Sequence, residues 1–123
     1  MTQSTTPPLT VFMLVKTTPE FLALTVAQRF EFGRCELDPI IDAFEDRVRF
    51  QWYDTEFYNA RVTDVVMLEA KDRRSYELFC EKLRETKFWD RYFHIEDILA
   101  GEENAWARNY AVAPLGAQAE VPA

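Results

Sequence analysis

A chain of 123 residues, 48% hydrophobic and carrying ten Phe, five Tyr and three Trp, has the size and composition of one core-forming domain and not of a disordered segment. Its net charge of -7 repels a phosphate backbone, and the tightest cationic pair, Arg73-Arg74, stands beside Asp72 and Glu77 as a solvated face, so a nucleic-acid role is set aside. The N-terminal MTQSTTPPLT lacks a basic-then-apolar signal pattern and Val11–Val15 is too short to span a bilayer, which leads to the expectation of a cytoplasmic protein with no membrane partner.

Residues 1–8 are polar and contain proline, a flexible lead-in. Leu9 to Lys16 is an apolar run typical of a central strand, ended by Thr17-Thr18-Pro19-Glu20. Thr25 followed by Gln28 is a capping box, and Val26, Phe30, Gly33, Leu37, Ile40, Ile41 and Phe44 recur at helical steps. Pro39 predicts a kink near Asp38, and Gly33 on the apolar stripe is expected to allow close packing on a sheet. Residues 47–55 alternate, with Val48, Phe50 and Trp52 on one face and Arg49, Gln51, Tyr53 and Thr55 on the other. Residues 61–70 form a second alternating strand, with Val62, Asp64, Val66 and Leu68 opposed to Thr63, Val65, Met67 and Glu69.

Asp72 is an N-cap for a helix with the stripe Tyr76, Phe79, Cys80 and Leu83. After the aromatic connection Phe88–Tyr92, residues 93–99 give a fourth strand, with Phe93, Ile95 and Leu99 on one face and His94, Glu96 and Ile98 on the other. Gly101 ends it. Residues 102–110 hold one or two helical turns with Trp106 and Tyr110 at i, i+4, and residues 112–123 read as a flexible tail.

The order is β-α-β-β-α-β, a ferredoxin-like α+β domain over residues 9–111, with an antiparallel sheet and two helices on one face. The other face is too apolar to stand in water, since the first strand is apolar on both sides. Either the C-terminal segment or a second copy covers it. The second is favoured, with the tail helping, as a two-fold homodimer through the non-helical sheet face resembling a dimeric α+β barrel.

The strings TVFMLVKTTPEFLAL, YDTEFYNARVTDVVMLEA, LRETKFWDRYFHI and ENAWARNY resemble those of the darcynin family of small bacterial proteins, over about residues 9–111. The resemblance supplies no activity and no catalytic residues, because none is established for the family. The architecture is also similar to that of the dimeric α+β barrel group of cofactor-free monooxygenases, isomerase-like enzymes and haem proteins, a likeness of fold alone.

A small-molecule site in such a dimer lies on the non-helical face, where alternation places Arg49, Gln51, Tyr53, Thr63, Met67, Glu69, His94 and Glu96. The same set suits a wet dimer interface. His94, the single histidine, is a candidate general base or axial haem ligand, against the commoner structural role. Asp64, on the face of Val62 and Val66, needs a partner, such as Arg61 or Arg108, or must mark the sheet rim. Trp89, Arg91, Tyr92, Trp106, Arg108 and Tyr110 form an aromatic-basic set that either holds a planar ligand or docks the C-terminal segment on the body. Candidate ligand-binding residues are thus Arg49, Gln51, Tyr53, Met67, His94, Trp106, Arg108 and Tyr110; candidate catalytic groups are His94, Tyr53 and Asp64. Cys35 and Cys80 are expected to be buried free thiols, and one histidine with scattered acids gives no metal-ligand spacing, so neither metal nor cofactor is expected. With no glycine-rich phosphate loop and no nucleophile motif, two functions stay open. One is a dimeric small-molecule-binding or protein-interaction domain. The alternative is a cofactor-independent monooxygenase- or isomerase-like enzyme acting on an apolar or aromatic small molecule.

Overall fold

The computed structural model describes residues 8–116, so the expected tail over 1–8 lies almost entirely outside it, as does most of the tail over 112–123. Strand β1 (Leu9–Thr17) is followed by three helical pieces, α1 (Pro19–Leu22), α2 (Val26–Phe32) and α3 (Asp38–Ala43), then β2 (Val48–Asp54), β3 (Asp64–Ala70), α4 (Arg73–Arg84), β4 (Phe93–Gly101) and α5 (Ala105–Asn109). The strands form one antiparallel sheet in the order β2-β3-β1-β4. This is the ferredoxin-like α+β arrangement expected from the sequence. No helix among the described residues is long and apolar enough to cross a membrane.

The helices cover one face of the sheet. Val11, Met13 and Val15 of β1 and Val66, Leu68 and Ala70 of β3 are sealed there against Phe32, Leu37, Phe44, Phe79 and Leu83. A ring cluster closes one end: Phe21 packs on Tyr92 and Phe93, and Trp52 stands edge-on to Phe93 at 5.4 Å. Aromatic pairs of this geometry add about 0.5–1.5 kcal/mol each beyond burial.

The long helical stretch departs from the sequence reading in an instructive way. Pro39 has no N–H to give to Cys35, and the chain makes a π turn at Gly33–Leu37, closed by Asp38 N–H donating to the Gly33 carbonyl. A π turn takes up an extra residue, so the buried stripe steps five places, from Phe32 to Leu37, before resuming at Ile40, Ile41 and Phe44. The stripe read with an unbroken helical period is therefore displaced upstream of the turn. Val26 and Phe30, expected inside, are 61% and 63% exposed. Gly33 is not a close-packing contact, for a Cβ there meets nothing within 4 Å. Cys35, expected to be buried, is exposed, and only Cys80 is partly covered.

A second irregularity lies in β4. Leu14 pairs with Asp97 and Val15 with Ile95, which leaves Glu96 as the extra residue of a bulge. Beyond it the alternation inverts: Ile98 stands opposite Met13 on the helical side and Leu99 opposite Phe12 on the open side. The expected assignment of these two residues is reversed, because strict two-residue alternation cannot anticipate an inserted residue.

Candidate functional site

The side of the sheet away from the helices carries Phe12, Leu14 and Lys16 of β1, Val65, Met67 and Glu69 of β3, Arg49, Gln51 and Tyr53 of β2, and Leu99 and Asp97 of β4. The pairing fixes this: Tyr53 stands opposite Val65, Val65 opposite Leu14, Met67 opposite Phe12 and Gln51 opposite Met67. The central residues Leu14, Val65 and Met67 are half-buried by their neighbours alone, while Phe12 is 40% and Leu99 52% exposed. A hollow of about 380 Å³ opens at one end of this face, lined by Thr10, Phe12, Met67, Glu69, Gly101 and Glu102. Its apolar wall is Phe12 and Met67, and the carboxylates of Glu69, Glu102 and Glu103 stand around it.

Of the residues singled out in the sequence, Arg49, Gln51, Tyr53 and Met67 come together here. His94 shares the face but lies on β4, the opposite edge from Tyr53 on β2. Three strand spacings, roughly 14 Å, separate the two edges. The His94 Nε2 sits 3.4 Å from Glu96, the bulged residue, whose other oxygen accepts from Arg61 at 3.1 Å. An Arg–Glu–His chain thus runs along this margin of the sheet, and the bulge is what turns Glu96 toward both partners.

Asp64 lies on the other side of the sheet and is separated from both Tyr53 and His94. It is 3% exposed and is not paired with an arginine. The expected partners are engaged elsewhere, Arg61 with Glu96 and Arg108 with Glu102. Its carboxyl accepts instead from the Trp52 indole at 3.0 Å and the Thr63 hydroxyl at 2.8 Å, and Thr63 in turn accepts from Thr17 N–H. Burial pushes the Asp64 carboxyl up to about 6, opposed by those two donors and reinforced by the neighbouring Asp54. Asp54, Glu56 and Asp64 each bring one oxygen within 4.8 Å of the others. Three oxygens are half or less of a calcium shell, and those of Asp64 already have protein partners.

Trp106, Arg108 and Tyr110 are not brought to the sheet within one chain. The aromatic-basic set is dispersed: Arg84 lies over Trp89, Arg91 pairs with Glu20, and Tyr92 is core. Trp106 and Tyr110, both 72% exposed, form with Val112 and Leu115 a separate apolar cup of about 440 Å³. Neither the expected docking onto the body nor a shared pocket with Tyr53 is realised in the single chain. On the helical side, the Cys35 thiol donates to Glu31 at 2.8 Å, which raises its pKa and weakens it as a nucleophile. Two features escaped the sequence reading: the Glu96 bulge, and the exposed row Leu22, Val26, Phe30. Only the second left a trace, as the four-residue spacing that Pro39 displaced.

Among solved structures the chain is similar in fold to two mutant chlorite dismutases from Candidatus Nitrospira defluvii. The first matches with a TM-score of 0.67 and 11% identity, over 80% of this chain and 40% of that one. The second matches with a TM-score of 0.67 and 12% identity, over 77% and 39%. This chain therefore spans less than half the length of those proteins, and the likeness is one of fold. His94, the sole histidine, has a side chain 62% exposed, with its Nε2 beside the Glu96 carboxylate. Sequence relatives extend over nearly the whole chain. A darcynin homologue from Streptomyces avermitilis is 54% identical over 93% of this chain and 94% of its own. One from Granulibacter bethesdensis is 53% identical over 85% and 84%. The family model for darcynin, a domain of unknown function, matches residues 1–119, and the chain belongs to the darcynin family.

Proposed function

We propose that this protein is a homodimer joined through the non-helical sheet face, and that the space between the facing sheets takes a small apolar or aromatic molecule. The observation that supports this most is the uncovered apolar side of the sheet. Phe12, Leu14, Val65, Met67 and Leu99 form one contiguous surface, and no described segment of the same chain lies over it. Exposed patches of this kind mark interfaces or ligand grooves. Arg49, Gln51 and Tyr53 supply polar contacts along one margin and His94 along the other, the usual balance of an apolar pocket with a few orienting groups.

The alternative is a cofactor-independent monooxygenase- or isomerase-like enzyme acting on a molecule of the same class. Its support is the fold shared with a dismutase and the His94–Glu96 pair, in which Glu96 would hold the imidazole for proton transfer. Asp64, on the far side of the sheet, has no part in it.

Native mass spectrometry of the freshly purified full chain tests the proposal. The expected result is a species of twice 14.5 kDa, with added mass from a retained small molecule that Met67→Arg abolishes. A species of 14.5 kDa at micromolar concentration contradicts it. A dimer whose bound mass survives Met67→Arg keeps the interface but removes the site from this face.

A further inference from the structure

Among the described residues, nothing covers the open sheet face or the apolar side of the arm formed by α5 and residues 110–116. The arm has a fixed shape. Asn104 in the left-handed region (φ 57) turns the chain out of β4. Helix α5 closes in a Schellman motif, with Val112 N–H donating to the Ala107 carbonyl at 3.0 Å and Ala111 N–H to that of Arg108 at 3.2 Å. Ala111 (φ 55) holds the left-handed position usually given to glycine, at a cost of roughly 1–2 kcal/mol. The hydrogen bonds of the described arm residues all fall within residues 102–112, so none ties it to its own sheet. It is a preformed hook, apolar on Trp106, Tyr110, Val112 and Leu115.

We infer that the hook is completed by a second copy of this chain: the arm of each protomer lies over the open sheet face of its partner. The partner's Trp106 and Tyr110 then wall the small-molecule space above Met67 and Tyr53. This rests on the sheet-face dimer proposed above, and it explains why candidate binding residues that the single chain keeps apart belong to one site.

Area supports a second copy as the occupant. Aromatic side chains present about 200 Å² each. At their exposures, Phe12, Tyr53, Trp106 and Tyr110 with Leu99, Val112 and Leu115 leave roughly 800 Å² per chain in water, the contribution of one partner to an interface of standard size. Each chain also holds both the donor and the acceptor, so a two-fold pair satisfies both arms and both sheet faces at once.

Trp106 is the exposed tryptophan; Trp52 and Trp89 are half-buried. Its emission, taken as the difference between the full chain and Trp106→Phe, reports where the arm lies. Exchange predicts blue-shifted emission at high protein concentration that moves red on dilution, together with a dimer dissociation constant raised roughly tenfold or more in Trp106→Ser/Tyr110→Ser. Circular dichroism of that variant should match the parent, since the arm lies outside the core. Emission that stays blue at a dilution where light scattering reports single chains puts the arm on its own chain and overturns the exchange. So does a double variant that dimerises as tightly as the parent, a result that leaves the sheet-face dimer standing. A parent that stays monomeric by light scattering overturns both.

Discussion

Asp64 shows how one buried carboxyl couples the fold to pH. Its folded-state pKa of about 6 stands above the ordinary 3.8, so between those values the native state holds a proton that the unfolded chain has released. The stability contributed by that proton is complete below about pH 4 and is lost as the pH rises through 6. A shift of about two units corresponds to on the order of 2–3 kcal/mol. Urea midpoints should therefore fall between pH 4 and 6.5, and Asp64→Asn, which has no proton to lose, should flatten that slope. An equally steep slope in Asp64→Asn would place the titrating group elsewhere. Trp52→Phe removes the indole donor at 3.0 Å and should push the Asp64 pKa higher still, read directly as a displaced carboxyl resonance in an NMR titration. Only half of this was legible in the sequence. Alternation put Asp64 on the inner face and so required a partner, but arginine was the obvious choice. The actual donors are an indole from the paired strand, which standing opposite Val66 brings within reach, and the adjacent threonine.

At the scale of elements, the caps of α2 and α4 and the alternation of β2 and β3 were read correctly because their causes are local. Thr25 and Gln28 satisfy each other's backbone N–H groups, and Asp72 accepts from Ser75 N–H at 2.7 Å. The short α1 was missed although Thr18-Pro19-Glu20 is a helix start, with Thr18 as cap and proline at the first position. Where one residue is inserted, as in the π turn and the Glu96 bulge, the period shifts and the pattern read from sequence alone turns the wrong face outward. Gly33 offers a clean test of the π turn's geometry. Its backbone is right-handed helical (φ -59, ψ -47) and a Cβ there finds open space, so Gly33→Ala should stabilise the fold by about 0.5–1 kcal/mol. A lower melting temperature in Gly33→Ala would mean that the turn needs the freedom of glycine.

At the scale of the whole molecule, the sequence showed that the second sheet face was too apolar to stay free, and the structure sharpens this into a surface centred on Phe12, Leu14, Val65 and Met67 with Leu99 at its edge. What covers it was not legible, because contacts from outside a chain leave no local pattern in its sequence; the need for them appears only as apolar area unmatched among the described residues. Leu99 is the residue through which to test it: half exposed, on an edge strand and outside the core. Leu99→Asp should leave folding intact and place a charge in the proposed interface, where a desolvated and unpaired carboxylate is strongly unfavourable. The most direct measurement is the solution mass of the parent chain and of Leu99→Asp by light scattering at micromolar concentration. A dimer through the sheet face predicts twice 14.5 kDa for the parent and 14.5 kDa for the folded variant. Equal masses for the two proteins, whether both single or both doubled, contradict it.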